Sequence, residues 1–321
     1  MVARTRYAPD RGLTTRMTLT MFLLGLVFVA FVAALVLILS AVHFSSGGIV
    51  FLALILGGGL AIGSLFYSDK IALSTAGARE VGPNDGPMAA EVHGVVDRVC
   101  ALADMPKPRI AIAPTDIPNA FATGRNSKNA VLCVTEGLLR RLDREELEGV
   151  ISHELSHVAH RDVMVMTIAS FLAIVAGLMI RFAFYGELFG GGRGRNNQNN
   201  QGALPVLLII MAVSIVVYAV SFLLIRLLSR YRELAADRSG ALLTGQPSAL
   251  ASALQKVSGT IARIPTKDLR AAEPLNAFFF VPALTRRQGE MTLSMLFSTH
   301  PPLEKRLAQL AKISRQLGQQ Q

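Results

Sequence analysis

The chain has 321 residues, of which 51% are hydrophobic and only 17% charged, and its mean hydropathy is +0.44. Ordinary soluble domains carry about 25% charged residues, so this composition excludes a wholly water-soluble protein and calls for apolar solvent over part of the length. The net charge of +10 does not point to nucleic acid, because Lys and Arg gather beside apolar runs, where they mark a membrane surface.

The first apolar run, Met17 to Phe44, holds no formal charge. It is too long for the core of a signal peptide, and no small-residue cleavage site ends it. A second run extends from about Gly48 to Tyr67, a third from Val163 to Ile180 and a fourth from Ala203 to Ile225. Crossing the hydrocarbon takes about 20 apolar residues. The first, second and fourth runs qualify, and the third is at the limit with 18 residues. Arg4, Arg6, Arg11 and Arg16 precede the first run, and Lys70 and Arg79 follow the second. Arg161 precedes the third run, and Arg226, Arg230 and Arg232 follow the fourth. This asymmetry predicts four spans with both termini and residues 69–162 in the cytoplasm. Arg181, Arg193 and Arg195 in the 181–202 link argue the other way, and a hairpin of the last two runs that does not fully cross is the alternative. Within that link, Gly190 to Gln201 is low in complexity and reads as disordered.

Between the second and third runs, Arg109–Ala113, Phe121–Thr123 and Val131–Thr135 read as short strands separated by turns. A helix is expected after Asp143, because Asp143 and Glu146 have capping-box spacing. Leu147, Val150, Ile151, Leu155 and Val158 supply its apolar face. Cys100 and Cys133, the two cysteines, match no metal spacing and read as small apolar residues in a reduced compartment.

His153-Glu154-Leu155-Ser156-His157 falls on this helix. Residues four apart stack on one face, so His153 and His157 can share one metal ion, and Glu154 is placed to take a proton from water. This HExxH spacing is that of zinc peptidases. A catalytic zinc takes a third protein ligand, and Glu233 is the candidate. His157 lies six residues before the third run and Glu233 eight after the fourth. At about 1.5 Å of rise per residue, both stand roughly 7–12 Å beyond the same membrane face, level with each other on antiparallel helices. Asp237, one turn further, reads either as the acceptor that fixes a ligand imidazole or as a surface carboxylate beside Arg238. His160 reads as an exposed or interfacial helix residue, His93 as a helix-face residue and His43 as a membrane-edge residue.

Taken with Glu233 to Asp237, Ser298-Thr299-His300-Pro301-Pro302 and Asn119-Ala120-Phe121-Ala122-Thr123-Gly124, this motif resembles the HtpX-type membrane zinc metalloproteases, relatives of the CAAX prenyl proteases. The resemblance covers nearly the whole chain in order, with Leu234 where relatives often carry an aromatic residue. It implies one zinc ion per chain on His153, His157 and Glu233, with Glu154 as the catalytic residue. It also implies proteolysis of membrane or misfolded proteins at the cytoplasmic face of a bacterial inner membrane. His300 becomes a candidate to stabilise the oxyanion, with a capping role before the final helix as the other reading. Asn119 becomes a candidate contact for substrate backbone along an edge strand.

The expected fold is thus a mainly α membrane protein with four transmembrane helices and a cytoplasmic, zincin-like catalytic domain containing a small β-sheet. Residues 1–68 form a tail and two spans, and 69–162 the first part of the catalytic domain with the zinc helix. Residues 163–225 form spans three and four with the link, and 226–321 complete the catalytic domain. The expected partners are unfolded or membrane protein substrates and the lipid bilayer, without nucleic acid; the oligomeric state is not legible. Two rivals stand beside this reading. A zinc site within the bilayer would bury Arg140, Arg141, Asp143, Arg144, Glu145, Glu146, Glu148, Arg161 and Asp162 at high cost. A metal transporter or sensor predicts ionisable residues inside the apolar runs, whose cores contain none.

Overall fold

The computed structural model describes residues 11–41, 47–190, 203–264 and 300–318. The expected disordered link, from Gly191 onward, lies outside them, as do Arg4, Arg6, His43, Ser298 and Thr299. The protein is mostly helical with one small mixed sheet, and it divides into two compact units.

One unit comprises Arg16–Ser64 and Val165–Leu228. It is built from α1 (Arg11–Ala41), α2 (Gly47–Ala76), α6 (Asp162–Gly190) and α7 (Ala203–Thr244) over their apolar stretches. Leu24, Phe31, Leu35, Leu172, Ala176, Met179 and Leu228 form its core. Among the described residues, Arg11–Ile38, Asp162–Tyr185 and Pro205–Thr244 are long and apolar enough to cross a membrane. The third run, marginal at 18 residues when read by apolar composition, lies in a helix that extends past both of its ends. Lys, Arg and single polar residues end an apolar run without ending a helix.

The other unit comprises residues 1–15, 65–164 and 229–321. Its sheet is ordered β1-β2-β4-β3, from β1 (Arg79–Glu80), β2 (Arg109–Ala113), β3 (Ala120–Thr123) and β4 (Val131–Thr135). β2 and β4 are parallel, with Arg109 opposite Val131, and both outer pairs are antiparallel. The three strands expected from the sequence are present; β1, at two residues, is too short to show an alternating pattern. Gly124, at φ 129°, turns the chain out of β3, where a Cβ would lie 2.4 Å from Asn129 O.

On this sheet pack α3 (Pro87–Ala103) and α5 (Arg144–Ala159), the latter preceded by the single turn α4 (Glu136–Leu139). The α5 capping box forms in full. Asp143 Oδ1 accepts the Glu146 N–H at 2.9 Å, and Glu146 Oε2 accepts the Asp143 N–H at 3.0 Å. Leu147, Val150, Ile151, Leu155 and Val158 are all buried, in a core shared with α8 (Pro247–Ile261) and the C-terminal α9 (Leu303–Gly318). His93 is buried on α3 and bonds Val81 O through Nε2 at 3.0 Å, whereas His160 caps the end of α5 and is exposed.

Two backbone features carry the site. Arg161, at φ 56°, separates α5 from α6. α7 runs unbroken from its apolar stretch through Glu233 to Thr244. His157 is therefore separated from its apolar stretch by one break in the helix, whereas Glu233 follows its apolar stretch on one continuous helix. Further along α7, Gly240 passes so close to α5 that a Cβ there would lie 3.0 Å from the His153 nitrogen.

Candidate metal centre

Helical spacing puts His153 and His157 on one face of α5, with ring centroids 4.9 Å apart. α7 brings Glu233 against that face. Its Oε1 lies 3.6 Å from His157 Nε2 and its Oε2 3.7 Å from His153 Nε2. All three ligand atoms fall within 4.8 Å of one another. These separations are too long for hydrogen bonds. They approach the roughly 3.3–3.6 Å expected between neighbouring donors that each stand 2.0–2.2 Å from a tetrahedral ion.

The far side of each ring explains why both Nε2 atoms face inward. His153 Nδ1 lies 2.9 Å from Asp237 Oδ1, and His157 Nδ1 lies 2.5 Å from Asp162 Oδ2. A carboxylate that holds the Nδ1–H fixes the tautomer and leaves the Nε2 lone pair for a metal. The donor set, its spacing and its backing carboxylates together fit a divalent ion that accepts nitrogen and oxygen. Without an ion, burial works against a charge on His153, but the carboxylates of Asp237 and Glu233 outweigh it and raise the pKa to about 9.

Glu154 is 5% exposed, and its Oε2 accepts the Ala122 N–H of β3 at 3.2 Å. Burial raises its pKa, a shift that the neighbouring imidazoles oppose. The open side of β3 thus borders the glutamate that the motif marks as proton acceptor. Asn119, one residue ahead of β3, is buried, and its backbone is committed to Thr135: its N–H donates to Thr135 Oγ1 and its carbonyl accepts the Thr135 N–H, both at 2.9 Å. His300 lies just before α9 with Nδ1 3.1 Å from Glu233 Oε2, so it joins the cluster. Asp237 is fully buried, which removes the surface-carboxylate reading.

Three residues of this cluster escaped the sequence reading. Asp162 was counted only among the charges around the motif, yet it is 4% exposed and holds His157. Arg232 pairs with Asp162 at 2.9 Å. Arg306 grips Asp237 through Nε and Nη2 at 2.7 and 2.6 Å and is 2% exposed. An Asp that follows the motif by five residues and an Arg one turn into a distant helix carry no local signal. Other charges near the motif are also buried, but in protein and paired: Glu148 with Arg98, and Glu146 with Lys256 and Ser252. Cys100 and Cys133 lie outside the cluster, and burial pushes their thiols up to about 11 and about 12, which leaves them unreactive.

Residues 88–314 match peptidase family M48. The chain belongs to this family. It is 56% identical to Protease HtpX homolog 1 of Streptomyces coelicolor, over 98% of this chain and 97% of the relative. It is 50% identical to Protease HtpX homolog of Moorella thermoacetica over 98% of each. For Protease HtpX homolog 2 of Methanosarcina mazei the identity is 46%, over 98% of this chain and 99% of the relative. The crystal structure of S. mikatae Ste24p shares the fold, with a TM-score of 0.51 at 15% identity, over 94% of this chain and 66% of that one. An HtpX-type M48 metalloprotease of membranes is therefore the identity reached, as the motifs implied, and a metal transporter or sensor is not favoured.

Proposed function

We propose that this M48 peptidase is a zinc-dependent endopeptidase that cleaves membrane or misfolded proteins at the cytoplasmic face of a bacterial inner membrane, in membrane protein quality control. The observation that carries the chemistry is the convergence of His153, His157 and Glu233 within 4.8 Å beside a buried Glu154. Two imidazoles and one carboxylate favour zinc over magnesium or calcium, which take oxygen ligands. When bound, the ion supplies Lewis acidity, polarising the scissile carbonyl and acidifying a water molecule.

The chain's own groups do the rest. Glu154 takes the proton of the attacking water on a carboxylate oxygen and passes it to the nitrogen of the leaving amine. Burial raises its pKa and so strengthens it as a proton acceptor. An extended substrate pairs along the open side of β3, so backbone is read more than side chains, with Asn119 at the start of that edge. His300 donates from its ring to the developing oxyanion. Asp162 and Asp237 keep the two ligand rings turned inward.

Four spans hold this site at the membrane, with α2 as the span beyond the three that qualify by length and composition. The Lys and Arg flanks and the grouping of the four apolar runs into one unit support this topology. The decisive experiment is metal analysis of the detergent-purified protein together with cleavage of casein. One zinc per chain, loss of cleavage with a chelator and recovery with zinc are expected. Cleavage that persists after complete removal of metal would overturn the proposal.

A further inference from the structure

Each ligand imidazole is backed by a carboxylate, and each carboxylate is held by an arginine. On one side the order is His153, Asp237, Arg306; on the other it is His157, Asp162, Arg232. Arg306 Nε donates to Asp237 Oδ2 at 2.7 Å and Arg306 Nη2 to Oδ1 at 2.6 Å, while Oδ1 also faces His153 Nδ1 at 2.9 Å. Asp162 Oδ2 takes both His157 Nδ1 at 2.5 Å and Arg232 Nη2 at 2.9 Å. The two relays come from different parts of the chain. Arg232 immediately precedes the ligand Glu233 on α7, whereas Arg306 comes from α9.

A carboxylate held only by one imidazole can turn about its side-chain bonds and carry the ring with it. An arginine on the same carboxylate prevents this, since its charge is permanent and its planar fork matches the carboxylate oxygens. We infer that Arg306 and Arg232 are positioning residues for the metal site: they hold Asp237 and Asp162 as acceptors for the two Nδ1–H groups, so that both Nε2 lone pairs are presented to the ion. This rests on the reading of His153, His157 and Glu233 as metal ligands. It adds that the C-terminal helix is part of the site. α9 is fastened to α7 by the Arg306 clamp and by Gln309 Nε2, which donates to Leu234 O at 2.7 Å.

The test uses the full chain in detergent, stripped of metal, with zinc affinity measured by competition against a chromophoric chelator. Loss of the outer partners of metal-bound histidines typically costs 10–100-fold in affinity or activity. Arg306→Met is expected to weaken zinc binding by about that factor, and Arg232→Met, whose side chain is more exposed and makes a single bond, by about tenfold. At saturating zinc, kcat should fall while KM for a peptide substrate stays within about twofold, since neither arginine is placed to touch substrate. Arg306→Lys and Arg232→Lys should recover part of the affinity, because they keep the charge and lose the fork. If Arg306→Met does not fold, as judged by gel filtration, the Arg232 pair decides alone. Wild-type affinity in both folded Met variants overturns the inference. His157→Ala separates this from failure of the underlying site: if it too binds zinc like the wild type, the ligand reading itself is wrong.

Discussion

The two units of this protein bury different things. The unit built from Arg16–Ser64 and Val165–Leu228 buries Phe31, Leu35, Ala176 and Met179. Several of its hydroxyls turn back onto their own helices, as Thr20 Oγ1 does to Arg16 O and Ser221 Oγ to Val217 O. The other unit buries His153, Glu154, Asp162, Glu233, Asp237 and Arg306 within a few ångströms of one another. Where no water is available, a polar group must find its partner in the protein. In the apolar unit the hydroxyls of Thr20 and Ser221 meet this locally, within a single turn. The charged unit meets it through residues far apart in sequence, such as Asp237 and Arg306. Losses in the first should be small and local, and losses in the second large and shared.

The sharpest way to break this contrast is Glu154→Gln. Removing a general base costs on the order of 10²–10⁴ in rate, so casein cleavage should fall by at least about a hundredfold while zinc content and thermal stability stay near wild type. An active Glu154→Gln protein would remove the role assigned to that residue. Asp237→Asn comes next. It leaves Arg306 buried without its counter-charge, and breaking such a pair costs about 3–5 kcal/mol. The expected result is a marked drop in unfolding temperature in detergent together with weaker zinc binding; a variant as stable as wild type would show that the buried cluster is less coupled than its distances imply.

A pH titration of the metal-free protein sharpens the same point. The His153 pKa is raised from 6.5 to about 9 in the folded state. Its charged form therefore contributes stability that is complete below about pH 6.5 and is lost as pH rises through about 9. Unfolding temperature of the stripped protein should decline over that window, and bound zinc, which replaces the proton, should flatten the decline. An identical pH profile with and without zinc would contradict this. Gly240→Ala tests the close approach of α7 to α5: a Cβ 3.0 Å from the His153 backbone nitrogen requires the α5 backbone to give by a few tenths of an ångström, at about 1–3 kcal/mol, with lower zinc affinity as the accompanying readout. At the small end stands Ser221→Ala. Its hydroxyl bonds only within its own helix, so the change should cost less than about 1 kcal/mol. A larger loss would show that the apolar unit also depends on shared polar contacts.

Much of the site was legible because its chemistry is local. His153, Glu154 and His157 share one helical turn, and the Asp143 capping box announces that helix. Glu233 was reachable through an argument about helix rise, although the chain breaks at Arg161 where that argument ran straight. β1 and the extension of α6 were not legible: one is too short to show a period, and the other continues where hydropathy alone stops. Asn119 and His300 were reached by resemblance, and the structure places them at the head of β3 and beside Glu233.

By itself the sequence determined an apolar chain with basic flanks, the HExxH turn and the small strand set, because composition, period and spacing act over a few residues. Only the tertiary structure decided what stands behind the ligands. Asp162, Arg232 and Arg306 earn their places through distances set by the packing of α5, α6, α7 and α9. A charge's value in a buried site depends on which opposite charge the fold delivers to it, and no local pattern encodes that delivery.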